Sequence, residues 1–168
     1  EELGAKACRI LVPDYSEIYD PTDLIWDNNN QGLAVRSDVL NIHSLDDPAL
    51  LRLVERLEDC ELDENMPIPI LIGVAFDENS AWGKCTIAEL KSLIYLALGR
   101  HDEAKALVGL FLHHNDNVPA RRRFYQVLDA VLDIAMRDDL ELANYRPNLV
   151  RMYGEDLVQA VVATVSGE

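Results

Sequence analysis

Four sets of side chains in this 168-residue sequence could do chemistry. The densest lies in residues 44–65, where eight acids (Asp46, Asp47, Glu55, Glu58, Asp59, Glu61, Asp63 and Glu64) face only Arg52 and Arg56. Converging in a cleft, such carboxylates could hold a divalent metal or run acid–base catalysis. Spread around an amphipathic helix and the loop after it they face water, and this is the preferred reading. His113 and His114 are adjacent, so on a helix they point about 100° apart and do not easily share one metal; His43 and His101 add no ligand spacing. Cys8, Cys60 and Cys85 are an odd number without a CxxC pair, as expected of reduced, packed thiols in a cytosolic protein. Arg121, Arg122 and Arg123 follow Pro119 in the first turn of a helix, where three cations oppose the positive end of the dipole. Something anionic must compensate them. Acids on a neighbouring helix are the preferred source, and a docked partner, which would make the arginines an interaction patch, is the other. Nothing here resembles a phosphate loop of the form GxxxxGK[ST].

The element that must position these groups is the stretch 86–116, read as two antiparallel helices joined at Leu98, Gly99, Arg100 and His101. Thr86 and Glu89 have the spacing of a capping box. Ile87, Leu90, Ile94 and Ala97 recur at helical period to form one apolar face, and Gly99 stops the helix by taking a left-handed conformation. Asp102 and Glu103 suit the start of the second helix, whose inner face is Ala104, Leu107, Val108 and Phe111. Tyr95 and Ala104 stand where a tetratricopeptide unit has its Tyr and small Ala. Ala88, Lys91, Ser92 and Asp116 depart from that pattern, so the repeat is degenerate. An ordinary helical hairpin in a small α domain is the alternative.

Composition bounds the rest. Half the residues are hydrophobic (49%) and the net charge is −15. A core is therefore expected, and DNA or RNA is not expected as a direct partner, because its phosphates would be repelled. No membrane-length apolar run and no signal peptide is present, and the expected location is cytoplasmic. The chain starts without Met, in what reads as mid-fold sequence, and is taken as a fragment.

In chain order, residues 7–12 read as a strand stopped by Pro13. A lone strand needs a neighbour, so it is assigned to the sheet of a preceding core domain, giving 1–20 as the end of that core and 21–168 as a helical domain. Pro21, Thr22 and Asp23 open a helix through Asp27, and Asn28 to Gly32 form a turn. Val35, Val39, Leu40 and Ile42 suggest a short helix. Asp47 caps the next one, with Pro48 at its first position and Leu50, Leu51, Val54 and Leu57 inward. Residues 66–76 read as a short buried helix with both prolines in its first turn. Pro119 starts a helix with Phe124, Val127, Leu128, Val131 and Ala135 inward. Residues 139–153 form another, disturbed at Pro147 and ended by Gly154, before a last helix from Glu155 with Leu157, Val161 and Val165. The fold class is mainly α, in antiparallel tetratricopeptide-like hairpins.

Across nearly its whole length the chain resembles the C-terminal part of a YcaO-family protein of the subgroup of the enteric prototype. The residues that carry the likeness are ACRILVP (7–13) with Ile18 and Tyr19, DLIWDNNNQG (23–32) with Arg36, AELK (88–91), RMYG (151–154) and SGE (166–168). The resemblance implies a parent that uses ATP and magnesium to activate backbone amides. That subgroup is linked to methylthiolation of a small-subunit ribosomal protein, as an accessory factor. It places the Mg-ATP carboxylates in a core upstream of this chain, so no catalytic, cofactor or metal residue carries over. The expected role is then a non-catalytic helical-repeat domain supporting assembly or partner recognition. Its partners would be its own catalytic core, a second copy, or a protein or peptide. A free-standing peptide-binding adaptor is the rival. A small enzyme in its own right would need a nucleophile or metal cluster.

Overall fold

Gly32 opens the part of the computed structural model that is described: residues 32–167, apart from 75, 78, 79, 81 and 115–118. The expected strand at 7–12, the helix from Pro21 and the turn at 28–31 lie outside it. The described residues form helices α1 (Leu33–Leu40), α2 (Asp47–Asp59), α3 (Ile68–Ile72), α4 (Ile87–Ala97), α5 (His101–His114), α6 (Pro119–Ala135), α7 (Leu142–Tyr153) and α8 (Glu155–Ser166). Short 3-10 turns stand at Ile42–Ser44 and Trp82–Lys84. Extended pairing among the described residues is limited to one antiparallel bridge, Pro67 with Thr86.

Local chemistry sets the helix ends. At α2 the cap is Asp46, not Asp47: its Oδ1 accepts from the Ala49 amide at 2.9 Å. Asp46 has the extended backbone from which a side chain can reach the third amide of the helix, and Pro48 then falls at the second position. Leu53 joins Val54 and Leu57 in the buried face, while Leu50 and Leu51 are half-buried. Pro67 caps α3 and Pro69 lies in its first turn, where a missing N–H costs nothing. The Thr86–Glu89 capping box is present in both directions. At the other end of α4, Gly99 stands at φ +68°. The Arg100 amide reaches back to the Tyr95 carbonyl at 2.8 Å and the Gly99 amide to Leu96 at 3.0 Å, closing the helix with a left-handed cap.

Successive helices pack on each other: α4 on α5, α5 on α6, α6 on α7 and α8, and α7 on α8. The chain also folds back, with α2 and α8 both against α4, while α1 packs on α2 and α3, and α3 on the Trp82–Lys84 turn. The core runs through Leu53, Ile68, Leu90, Val108, Leu128, Leu132 and Val158, each such side chain contributing about 1.5–3 kcal/mol by leaving water.

Three inward assignments differ. Ala97 and Ala135 are exposed and Leu40 is largely so, whereas Tyr125, Leu132 and Ile134 are buried. Ala97 and Ala135 end their helices, beyond the last covering neighbour, and α6 is gripped by three helices, so its apolar arc is wider than one stripe. Helix α7 begins at Leu142 and not near Asp139, because the chain turns at Arg137, whose carbonyl accepts from the Leu140 amide at 3.2 Å. Pro147 lies inside the helix and Gly154 ends it at φ +95°.

Candidate functional site

The N-terminus of α4 gathers the most chemistry. Glu89 points inward and its side chain is only 1% exposed. Its Oε2 accepts from the Thr86 amide at 2.9 Å and the Thr86 hydroxyl at 3.2 Å, and pairs with the Arg121 guanidinium. The same guanidinium donates to the Lys84 carbonyl at 2.7 Å and lies 5.7 Å from the centre of the Phe111 ring. Tyr125, one turn beyond Arg121 on α6, packs on Phe111 with centroids 4.2 Å apart. Burial raises the Tyr125 phenol, reinforced by the Glu89 charge. Burial likewise pushes the Cys85 thiol up to about 12, with Glu89 adding to the rise and Arg121 opposing it. A thiol held neutral in this way is a poor nucleophile at pH 7.

A second charged centre sits on the opposite side of α4. Lys91 Nζ meets Glu64 Oε1 at 2.7 Å and Glu58 Oε1 at 3.3 Å, with its own side chain 5% exposed. Burial works to lower the ammonium pKa. The hydrogen bonds and charges of Glu64 and Glu58 outweigh it and leave Lys91 above the ordinary lysine value. Glu64 Oε2 is buried without a hydrogen-bond partner. The other acids of 44–65 (Asp46, Asp47, Glu55, Asp59, Glu61 and Asp63) are exposed, and do not converge with this pair.

The residues singled out in the sequence separate into two places. Tyr95, Gly99 and Ala104 gather at the α4–α5 turn, where Ala104 is fully buried and the Arg100 guanidinium lies 5.1 Å from the Tyr95 ring centre. The three arginines diverge around α6. Arg121 enters the Glu89 centre, Arg122 donates to the Leu112 carbonyl at 3.1 Å, and exposed Arg123 donates to the Tyr153 carbonyl at 3.4 Å. Sequence reasoning took Glu89 only as a capping acid and passed over Tyr125 and Lys91. The four-residue spacing of Arg121 and Tyr125 puts both on one face of α6, and this was the available signal. Among the described residues no three His, Cys, Asp or Glu side chains are grouped so as to hold a metal ion.

What this architecture belongs to follows from its likenesses. Residues 32–168 match the family described as the YcaO cyclodehydratase C-terminal domain. The chain is 34% identical over 172 residues to the ribosomal protein S12 methylthiotransferase accessory factor YcaO of Escherichia coli, covering 100% of this chain and 29% of that protein. It is 32% identical over 168 residues to an uncharacterized protein of Haemophilus influenzae, covering 98% of this chain and 29% of that one. The chain thus spans less than a third of the length of either relative. With the family match covering all of α1 to α8, this chain belongs to the YcaO cyclodehydratase C-terminal domain family.

Proposed function

We propose that this chain is a non-catalytic helical-repeat domain that supports assembly or partner binding in a larger, ATP-using YcaO protein. One observation carries the reading: the groups able to do chemistry bond one another inside the chain. Glu89 holds Arg121 and Thr86, while Glu58 and Glu64 hold Lys91. The α4–α5 hairpin, with Tyr95 in its first helix and enclosed Ala104 in its second, supports a tetratricopeptide-like unit. The E. coli relative's description as an accessory factor supports a role beside a protein partner.

The Mg-ATP implied by the likeness to YcaO proteins does not fit these residues. The two carboxylates that converge, Glu58 and Glu64, already neutralise an enclosed ammonium. A divalent cation there would have to displace it, and magnesium prefers carboxylates that come together with phosphate and water. The test is calorimetric titration of residues 1–168 with Mg-ATP, beside a phosphate-release assay. No heat of binding and no turnover are expected here, against both in the full parent, and deleting 32–168 from the parent should impair its assembly while its nucleotide binding survives. Saturable Mg-ATP binding lost on substituting Glu58 and Glu64 would make this segment part of the active site. Tight binding of free peptides by 1–168 alone would favour the adaptor role.

A further inference from the structure

We propose that the outer face of α7 is an interaction surface for a second copy of this chain, and that it seats the acid-bearing outer stripe of that copy's α2. On its inner side, Leu142, Arg146, Leu149, Val150 and Tyr153 fall at i, i+4, i+7, i+8 and i+11, and all five are buried or half-buried. The other side carries Asn144, Tyr145, Asn148, Arg151 and Met152, all exposed, with Tyr145 at 39% and Met152 at 63%. This is not the composition of a solvated helix. Between Leu142 and Tyr153 there is no acid, in a chain whose acids outnumber its cations 30 to 15. Tyr, Met and Arg gather at the centres of protein interfaces, where Lys, Asp and Glu are scarce. Helix α7 is also thinly held by its own chain. Leu149 is its one buried residue, and Pro147 removes a hydrogen bond from its interior.

A surface that fits this face is acidic and partly apolar, and the chain itself displays one. On α2, Leu51, Glu55 and Asp59 fall at i, i+4 and i+8; the two acids are exposed and Leu51 is half-buried. Arg56 beside them is engaged by Asp38, and Arg52 is outnumbered. The stripes are alike in length, about 10 Å from Tyr145 to Met152 and about 12 Å from Leu51 to Asp59. Laid side by side in parallel, they set Tyr145 over Leu51, the Asn148 amide against Glu55, and Arg151 against Asp59. Both stripes are exposed within one copy, so they do not cover each other there. At physiological salt a charge is screened within about 8 Å, so the local match decides, and not the net −15 of each copy. The apolar contacts supply most of the attraction, because an exposed ion pair contributes little, and the charges select the register.

The contact names a partner for the assembly role proposed above and deepens that reading. Sedimentation equilibrium of residues 1–168 at concentrations up to about 1 mM tests it. The mean mass is expected to rise with concentration. Arg151→Glu with Met152→Ser, and separately Glu55→Lys with Asp59→Lys, should each weaken self-association at least about tenfold, with the helical circular dichroism unchanged. Because the two faces are unlike, every copy brings one of each. Mixing the two variants should therefore restore a complex that neither forms alone. A chain that stays monomeric overturns the proposal, and that measurement needs no variant. So does association that survives either pair of substitutions, or a mixture that stays dissociated, as it would if like faces met across a twofold axis. Failure here is separable from failure of the assembly role itself, which deletion of 32–168 from the parent reads out on its own.

Discussion

The two ion-pair centres that flank α4 are built in opposite ways. In one the acid is enclosed and the cation reaches in from the edge: Glu89 is 1% exposed and Arg121 27%. In the other the cation is enclosed and two acids reach in: Lys91 is 5% exposed, Glu64 37% and Glu58 51%. The difference lies in what each centre leaves behind when a partner is removed. An enclosed carboxylate cannot turn to water, whereas Glu58 can and Glu64 is more than a third exposed. Enclosure of the survivor, more than the number of bonds, should set the loss.

Arg121→Met is the harshest break. It strands the Glu89 carboxylate without a counter-ion, and a loss of about 3–5 kcal/mol is expected in urea unfolding at pH 7. Adding Glu89→Gln should return part of it. A loss like that of a surface pair would put the two centres on the same footing. Lys91→Met should cost less, about 1–3 kcal/mol, because the acids it leaves behind are far more exposed than Glu89; an equal loss for both variants would erase the contrast.

Alkaline titration sharpens it further. Cys85 and Tyr125 have raised pKa values in the folded state, as does Lys91. Each therefore contributes stability that is full below its unfolded pKa and is lost as pH rises towards its folded value. Stability should fall from about pH 9 upward, where the unfolded thiol ionises first. Cys85→Ala should flatten the fall between the ordinary thiol pKa and about 12, which unfolding curves at stepped pH would measure. Glu58→Gln is the mildest change. At the exposed edge it should cost less than about 1 kcal/mol, and a larger loss would mean that Glu58 and Glu64 are not alternative partners for Lys91.

How far these centres could be read in advance depended on distance along the chain. The capping box of Thr86 and Glu89 and the left-handed Gly99 are local codes, legible because their bonds span a few residues. The second role of Glu89 was not, since Arg121 lies 32 residues away. A need for an anion near Arg121 could be inferred from the helix dipole, but not which acid met it. Lys91 and Ser92 were hidden for another reason. Helix α4 is enclosed on nearly every side, so its polar residues do not mark a wet face and its apolar period is blurred. In α6 the single-stripe reading failed in the same direction, passing over Tyr125, Leu132 and Ile134. Asp46 and Asp47 were one residue apart, and only the backbone geometry decides between neighbouring capping acids.

The segment before α3 leaves a mark on how α4 exchanges its protons. The Ile87 and Ala88 amides belong to the helix's first turn and have no acceptor within it. They donate instead to the carbonyls of Met66 at 3.1 Å and Glu64 at 3.0 Å, while Leu90 donates to Thr86 of its own turn. Deuterium uptake at Ile87 and Ala88 therefore times the opening of residues 64–66, and uptake at Leu90 times the opening of the helix. The same bonds delay assembly. However well it is capped, the start of α4 is finished only after a loop of about twenty residues has closed, an entropic step that local capping cannot shorten. A refolding experiment with pulsed exchange should find Leu90 protected before Ile87.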